Sequence, residues 1–151
     1  MLTEYTTYAD IRAALGVSEE ELSDETLGLA LYAQVLTDDL EEVNAALLPA
    51  FETLPADQDT WSDDQTKFYR RFQLYATYVV AHFLLDSAEL FGFLKVADGR
   101  ASTERTPDSY KNLRASVTGM LTRLRAKLLE QLAVVEPAAV VPTRSSFSFI
   151  S

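Results

Sequence analysis

The sequence contains no cysteine, one histidine and five glycines in 151 residues. The absence of cysteine excludes disulfide bonds, thiolate zinc sites and cysteine nucleophiles. The glycines are too few and too scattered to form a glycine-rich phosphate loop. The histidine, His82, has one carboxylate at helical spacing, Asp86, and such a pair makes neither a metal site nor a catalytic triad. We interpret His82 as a core histidine bonded to Asp86 or a tyrosine, and we expect neither an enzyme nor a cofactor.

Basic residues are almost missing from the first 66 residues, which hold 16 acids and one base, Arg12. Residues 67–151 hold 7 acids and 12 bases, and the net charge of the chain is −10. The two parts either neutralise each other within one fold, or pack head to tail between copies, acidic surface against basic surface. An acidic chain is a poor non-specific DNA binder, because attraction to phosphates needs a basic face.

The acidic run at residues 57–64 has the alternation of a calcium-binding loop. It lacks the central glycine, and Phe68 stands where the bidentate glutamate of such a loop would be. We interpret the run as a solvated loop that leads into a helix cap at Ser62 or Asp63.

Apolar residues recur every three to four positions along most of the chain, which predicts an all-α fold. Thr7 and Gly16 are typical cap residues for a short first helix at residues 8–15. A capping-box pattern at residues 18–21 predicts one short turn. Three long helices should follow and pack as a small bundle.

The second helix should begin at Ser23 and end or kink at Pro49. Its apolar stripe is Leu27, Leu31, Val35, Leu36, Leu40, Val43 and Leu47. The third helix is apolar over more than half its circumference, which predicts a central position in the bundle. The most apolar stretch, residues 75–94, is about long enough to span a bilayer. It contains His82, Asp86 and Glu89, so we interpret it as a core helix and expect no membrane insertion.

Residues 94–104 interrupt the helical pattern. Asp98 and Gly99, followed by Arg100, are typical of a hairpin turn, because that turn needs positive φ at its centre. A plain loop is the alternative.

Thr106 and Pro107 begin the last helix with a cap and a proline in its first turn. Its apolar stripe is Tyr110, Leu113, Val117, Leu121, Leu124, Leu128 and Leu132, and its outer face carries Lys111, Arg114, Arg123, Arg125 and Lys127. The candidate residues for an interface between copies are Glu41 and Glu42 of the second helix and Arg114, Arg123 and Lys127 of the last helix.

After Ala133 the helical pattern ends, and two prolines, Pro137 and Pro142, exclude a regular helix. We therefore divide the chain into a helical domain at residues 1–133 and an extended arm at residues 134–151. Phenylalanine and serine alternate near its end, as in a strand with one buried face. Phe147, Phe149 and Ile150 are the candidate anchors to a partner, with Arg144 as a charged contact.

Residues 8–17, Tyr-Ala-Asp-Ile-Arg-Ala-Ala-Leu-Gly-Val, and the acidic turn at 18–25 resemble the opening of head–tail connector (adaptor, or head completion) proteins of tailed bacteriophages. The aromatic third helix, the loop at 98–102 and the leucine-striped last helix match the plan of that family. The resemblance covers roughly residues 5–133.

The resemblance implies a structural virion protein that forms a homo-oligomeric ring, a dodecamer in that family, docked on the portal protein at the neck of the virion. Such a ring extends the DNA channel without binding DNA specifically and presents a surface to the next neck or tail protein. The arm, residues 134–151, would engage the portal. The protein would be made in the host cytoplasm and reside in the virion.

Three alternatives stay open. The first is a helical adaptor or regulator of non-viral type that binds a partner helix between the second and last helices. The second is a nucleic-acid module that uses the basic last helix. The third, an enzyme, would need an acid pair such as Asp86 and Glu89, which has no evident partner.

Overall fold

The computed structural model describes residues 1–87 and 107–136, which form an all-α bundle without a strand in those ranges. Its α-helices are α1 (Tyr8–Leu15), α2 (Asp24–Leu27), α3 (Ala30–Val43), α4 (Leu47–Glu52), α5 (Asp63–Asp86) and α6 (Pro107–Val135). Short 3₁₀ turns occupy Leu2–Glu4 and Gln58–Thr60. The predicted fold class is confirmed.

The first helix has the bounds and the caps that the sequence predicts. The Thr7 hydroxyl accepts a hydrogen bond from the Asp10 amide at 3.1 Å. Gly16 ends the helix with φ of 67°, in the left-handed region that glycine adopts without strain. The turn that follows is the predicted capping box, because Ser18 and Glu21 exchange side-chain to backbone hydrogen bonds.

The second long helix is divided into three pieces, α2, α3 and α4. Ser23 caps the first piece as predicted, but the chain becomes extended at Leu29, with φ −63° and ψ 138°. The second break is at Asn44, whose side-chain oxygen accepts from the Ala46 amide at 2.9 Å in place of a helical bond. Pro49 lies in the first turn of α4, where a missing amide hydrogen costs nothing.

Helix α5 lies at the centre of the bundle, as predicted. Its fully covered residues face several directions and include Phe68, Phe72, Tyr75, Ala76, Ala81 and Leu85. The N-terminal segment and α1 pack on one side, where the Thr6 and Thr77 hydroxyls share a buried hydrogen bond of 2.6 Å. Helix α3 packs on another side, where the rings of Tyr32 and Phe83 meet edge to face at 5.9 Å.

Helix α6 packs antiparallel along a third side of α5. At one end, the Tyr110 hydroxyl donates to the Leu85 carbonyl at 2.5 Å; at the other, the Gln131 amide donates to the Asp64 carbonyl at 3.3 Å. Five members of its predicted stripe are buried: Val117, Leu121, Leu124, Leu128 and Leu132. The helix begins at Pro107 and runs to Val135, so its last two residues fall within the stretch that we assigned to the arm.

Several predicted features lie outside the described residues. They are the loop at 94–104 with Asp98, Gly99 and Arg100, the residue Glu89, and the arm residues Arg144, Phe147, Phe149 and Ile150. Within residues 1–87 and 107–136, no helix has the length and apolar character needed to cross a bilayer.

Candidate functional site

The predicted interface acids lie at the end of α3 and do not share one environment. Glu41 and Glu42 are both exposed. Glu42 lies close enough to Arg125 of α6 for its charge to act on that guanidinium. The buried positions Tyr32, Leu36 and Leu40 face α5, so Glu41, one residue on from Leu40, belongs to the outer side of α3.

The predicted interface bases of α6 also lie in different environments. The Arg114 guanidinium donates to the Asp86 carboxylate of the same chain at 2.5 Å, and both side chains are nearly half exposed. Arg123 and Lys127 are exposed, and neither makes an ion pair with any residue in the described ranges. Arg123 and Lys127 therefore keep their charges available to another molecule.

A polar contact that the sequence did not predict joins α3, α5 and α6. The Tyr75 hydroxyl donates to the Asp39 carboxylate at 2.7 Å and accepts from the Arg125 guanidinium at 3.3 Å. Burial of the ring, and then the hydrogen bond to Asp39, raise the pKa of Tyr75. The hydrogen bond with Tyr75 and the charges of Asp39 and Glu42 raise the pKa of Arg125. At this point the acidic and basic parts do meet within one fold.

His82 lies beside Asp86, as its spacing predicts, but it is not a core residue. Its Nδ1 is 3.6 Å from the Asp86 carboxylate, which is longer than a hydrogen bond, and its side chain is 30% exposed. Asp86 is shared with Arg114. The three side chains form a small polar cluster on the surface where α5 meets α6.

The acidic run at 57–64 is a loop and a helix cap, as interpreted from the sequence. The Asp57 carboxylate accepts from the Asp59 amide at 3.1 Å, and the Ser62 hydroxyl caps α5. The Trp61 indole donates to the Pro55 carbonyl at 2.7 Å and packs on the Tyr69 ring. Across the described ranges, no three histidine, aspartate or glutamate side chains are grouped closely enough to hold a metal ion.

An open groove of about 410 Å³ lies between α1 and α5. We call it the α1–α5 groove; it is lined by Asp10, Ala13, Ala14, Arg70, Gln73, Leu74, Thr77 and Tyr78. Leu74 is 46% exposed there, although α5 is the central helix of the bundle. The sequence predicts a partner-binding groove between the second and last helices, whereas this groove lies between the first helix and the central one. The available signal was Leu74, which lies off the buried stripe of α5.

Three bases of α5 were also missed as candidates: Lys67, Arg70 and Arg71. Lys67 and Arg70 are exposed, and neither forms an ion pair within residues 1–87 and 107–136. Arg71 is half-buried and donates to the Lys127 carbonyl at 3.2 Å and to the Gln131 amide oxygen at 3.1 Å. The basic surface therefore includes the first turns of α5 as well as α6.

No protein-family model, no curated protein and no solved structure matches the chain.

Proposed function

We propose that the protein is a structural assembly protein that works as a phage head–tail connector. Its copies would form a ring on the portal protein and join the capsid to the tail. The observation that carries this proposal is the separation of unpaired charge on the surface. Glu41 is exposed on α3, whereas Lys67, Arg123 and Lys127 are exposed on α5 and α6. Surfaces of opposite sign on one molecule favour contacts between copies.

Assembly supplies the affinity that a small helical domain lacks. A specific contact between neighbours buries on the order of 1,000 Å² or more, and closure of a ring makes every contact depend on the others. Arg114 contributes less than its sequence position suggests, because it already pairs with Asp86 in its own chain. Arg123 and Lys127 form no such pair within the described residues and remain candidates, with Lys67, for a contact with a neighbouring copy.

The arm, residues 134–151, would attach the ring to the portal. Phe147, Phe149 and Ile150 are its apolar anchors and Arg144 its charged contact. An extended segment of this length reaches about 40 Å or more, so a small domain can hold a large neighbour. The opposite side of the ring would be free for the next neck or tail protein.

The acidic residues fit a channel through which DNA slides. The first 66 residues hold 16 acids and one base, so a ring lined by this region would repel the phosphate backbone. DNA would pass without being bound, and the assembled protein would reside in the neck of the virion after synthesis in the host cytoplasm.

Electron microscopy of the purified protein, alone and with portal rings, tests the proposal. We expect rings of the full-length protein, docked on the portal. Deletion of residues 143–151 should leave the helical circular dichroism spectrum unchanged and abolish docking. A full-length protein that stays monomeric beside portal rings and shows no arm-dependent binding would end the connector proposal.

The second candidate function is a helical adaptor of non-viral type, and the α1–α5 groove is the observation that favours it. Its exposed Leu74, flanked by Arg70 and Gln73, could receive a short amphipathic segment of a partner. Light scattering separates the two candidates, since an adaptor would remain a monomer or simple dimer at concentrations where a connector forms rings.

A further inference from the structure

The outer side of α3 carries a row of exposed residues that nothing in the described ranges covers. We call Leu31, Gln34, Asp38 and Glu41 the α3 ridge; they recur every three to four residues and so lie on one face. Leu31 is 51% exposed, and neither acid forms an ion pair with a described residue. The ridge is therefore apolar at its beginning and negative over its second half.

The α1–α5 groove has the complementary order of properties. Leu74 and Tyr78 form its apolar part, and Arg70 marks its basic end. Lys67 continues the basic end one turn earlier on α5. The acid among the lining residues, Asp10, belongs to α1 on the other wall.

The ridge and the groove lie on opposite sides of the bundle. Helix α3 packs on α5 through Phe83, and the ridge points away from that contact. Leu74 of the groove lies about 180° around α5 from Phe83 and about 100° from Tyr75, the other α5 residue that contacts α3, so the groove faces away from α3. A single chain therefore cannot bring its own ridge to its own groove.

We propose that the α3 ridge of one copy docks into the α1–α5 groove of the next, with the two helices antiparallel. If Leu31 packs against Tyr78, Asp38 and Glu41 lie about 10 and 15 Å further along α3. Arg70 and Lys67 lie about 12 and 16 Å from Tyr78 along α5 in the opposite direction. Leu31 then contacts the apolar part of the groove, while Asp38 faces Arg70 and Glu41 faces Lys67.

This interface specifies the contact between neighbours in the proposed ring. It depends on the proposed function only for the closing of the ring, since the same contact could also form in open chains of copies. One ridge in one groove is a small surface with exposed ion pairs, so each contact is weak and sensitive to salt. Stable assembly needs several contacts made together.

Charge reversal tests the interface. D38K/E41K reverses the ridge, and K67E/R70E reverses the groove. Each variant alone should weaken self-association by more than about tenfold at low salt, because like charges then face each other. A 1:1 mixture of the two variants, and the variant that combines all four changes, should self-associate again. Sedimentation velocity measures the size distribution, and circular dichroism verifies the fold.

Matched controls change charge elsewhere. E19K/E130K and K111E alter exposed residues outside the ridge and the groove. We expect both to assemble like the unaltered protein. R123E/K127E tests the competing contact through α6, and an equal loss in that variant would assign the interface to α6 and overturn the proposal. So would an unaltered protein that is monomeric, or a mixture that fails to recover.

Deletion of residues 143–151 separates this contact from the arm. The shortened chain should still self-associate; if it does not, the groove takes the arm and the proposal is wrong. Copies that associate through ridge and groove but ignore portal rings would keep this interface and refute the connector role. Rings that dock on the portal and are unaffected by D38K/E41K and by K67E/R70E, each made separately, would keep the connector role and refute this interface.

Discussion

Tyr75 shows how one side chain connects three helices. Its ring is fully buried in α5, and its hydroxyl lies between Asp39 of α3 and Arg125 of α6. The sequence predicts the buried ring, because Tyr75 belongs to the apolar stripe. It could not predict the hydroxyl's partners, which come from positions 36 residues earlier and 50 residues later in the chain.

The substitution Tyr75→Phe should lower the free energy of unfolding by about 1–2 kcal/mol. The ring packing stays, but a hydrogen bond to a charged group is lost and Asp39 is left half-buried beside it. Urea denaturation measures the change. Tyr78→Phe is the control, since Tyr78 lies on the same helix but is only half-buried, and its change should shift stability by less than about 0.5 kcal/mol. Equal effects of the two substitutions would contradict a special role for the Tyr75 hydroxyl.

Because of the same Tyr75 hydroxyl, we expect the free energy of unfolding to fall at alkaline pH. The fold raises the pKa of Tyr75 above its ordinary value of 10.0, so the fold favours the protonated phenol. This contribution is fully present below pH 10 and is lost as the pH rises above it, by up to about 1.4 kcal/mol per pH unit. Denaturation at several pH values from 8 to 11 should show a shallower decline for Tyr75→Phe, whereas identical slopes would refute the assignment.

The division of the second helix is the main difference between the predicted and the observed elements. Its leucine spacing indicates one continuous stripe, and we placed the helix end at Pro49. The breaks lie instead at Leu29 and Asn44, and Leu29 and Leu31 are more than half exposed. The leucine spacing is continuous through both points, but Gly28 ends α2 beside the first break and Asn44 stands at the second. Both residues have low helix propensity, so the breaks follow local backbone preference rather than the apolar stripe. Cap patterns at Thr7, Ser23 and Ser62 gave correct starts, since a cap acts on adjacent residues.

Asn44 should therefore control the second break. Asn44→Ala removes the acceptor for the Ala46 amide and should cost about 1 kcal/mol of unfolding free energy. Asn44→Asp keeps an acceptor oxygen at the same place and should stay within about 0.5 kcal/mol of the unaltered protein. Thermal or urea unfolding of the two variants gives the comparison. Equal destabilisation by alanine and aspartate would show that the hydrogen bond does not hold the turn.

At the scale of the whole bundle, the central position of α5 could be predicted from the sequence, because a helix that is apolar around most of its circumference must be covered on several sides. The α1–α5 groove could not. Its walls come from residues 10–14 of α1 and 70–78 of α5, which lie far apart in the sequence. Opposed charge between the two parts of the chain was visible in the sequence, but the pairing of Arg125 with Tyr75 near Asp39 was not.

The opposite placement of ridge and groove also limits what a pair of molecules can do. Two copies that join through such surfaces leave one ridge and one groove uncovered, so the dimer exposes the same two binding surfaces as the monomer. Growth then stops only when the last copy reaches the first. The angle between the two surfaces sets the curvature of the assembly, and a small change in that angle would convert a closed ring into an open helical filament.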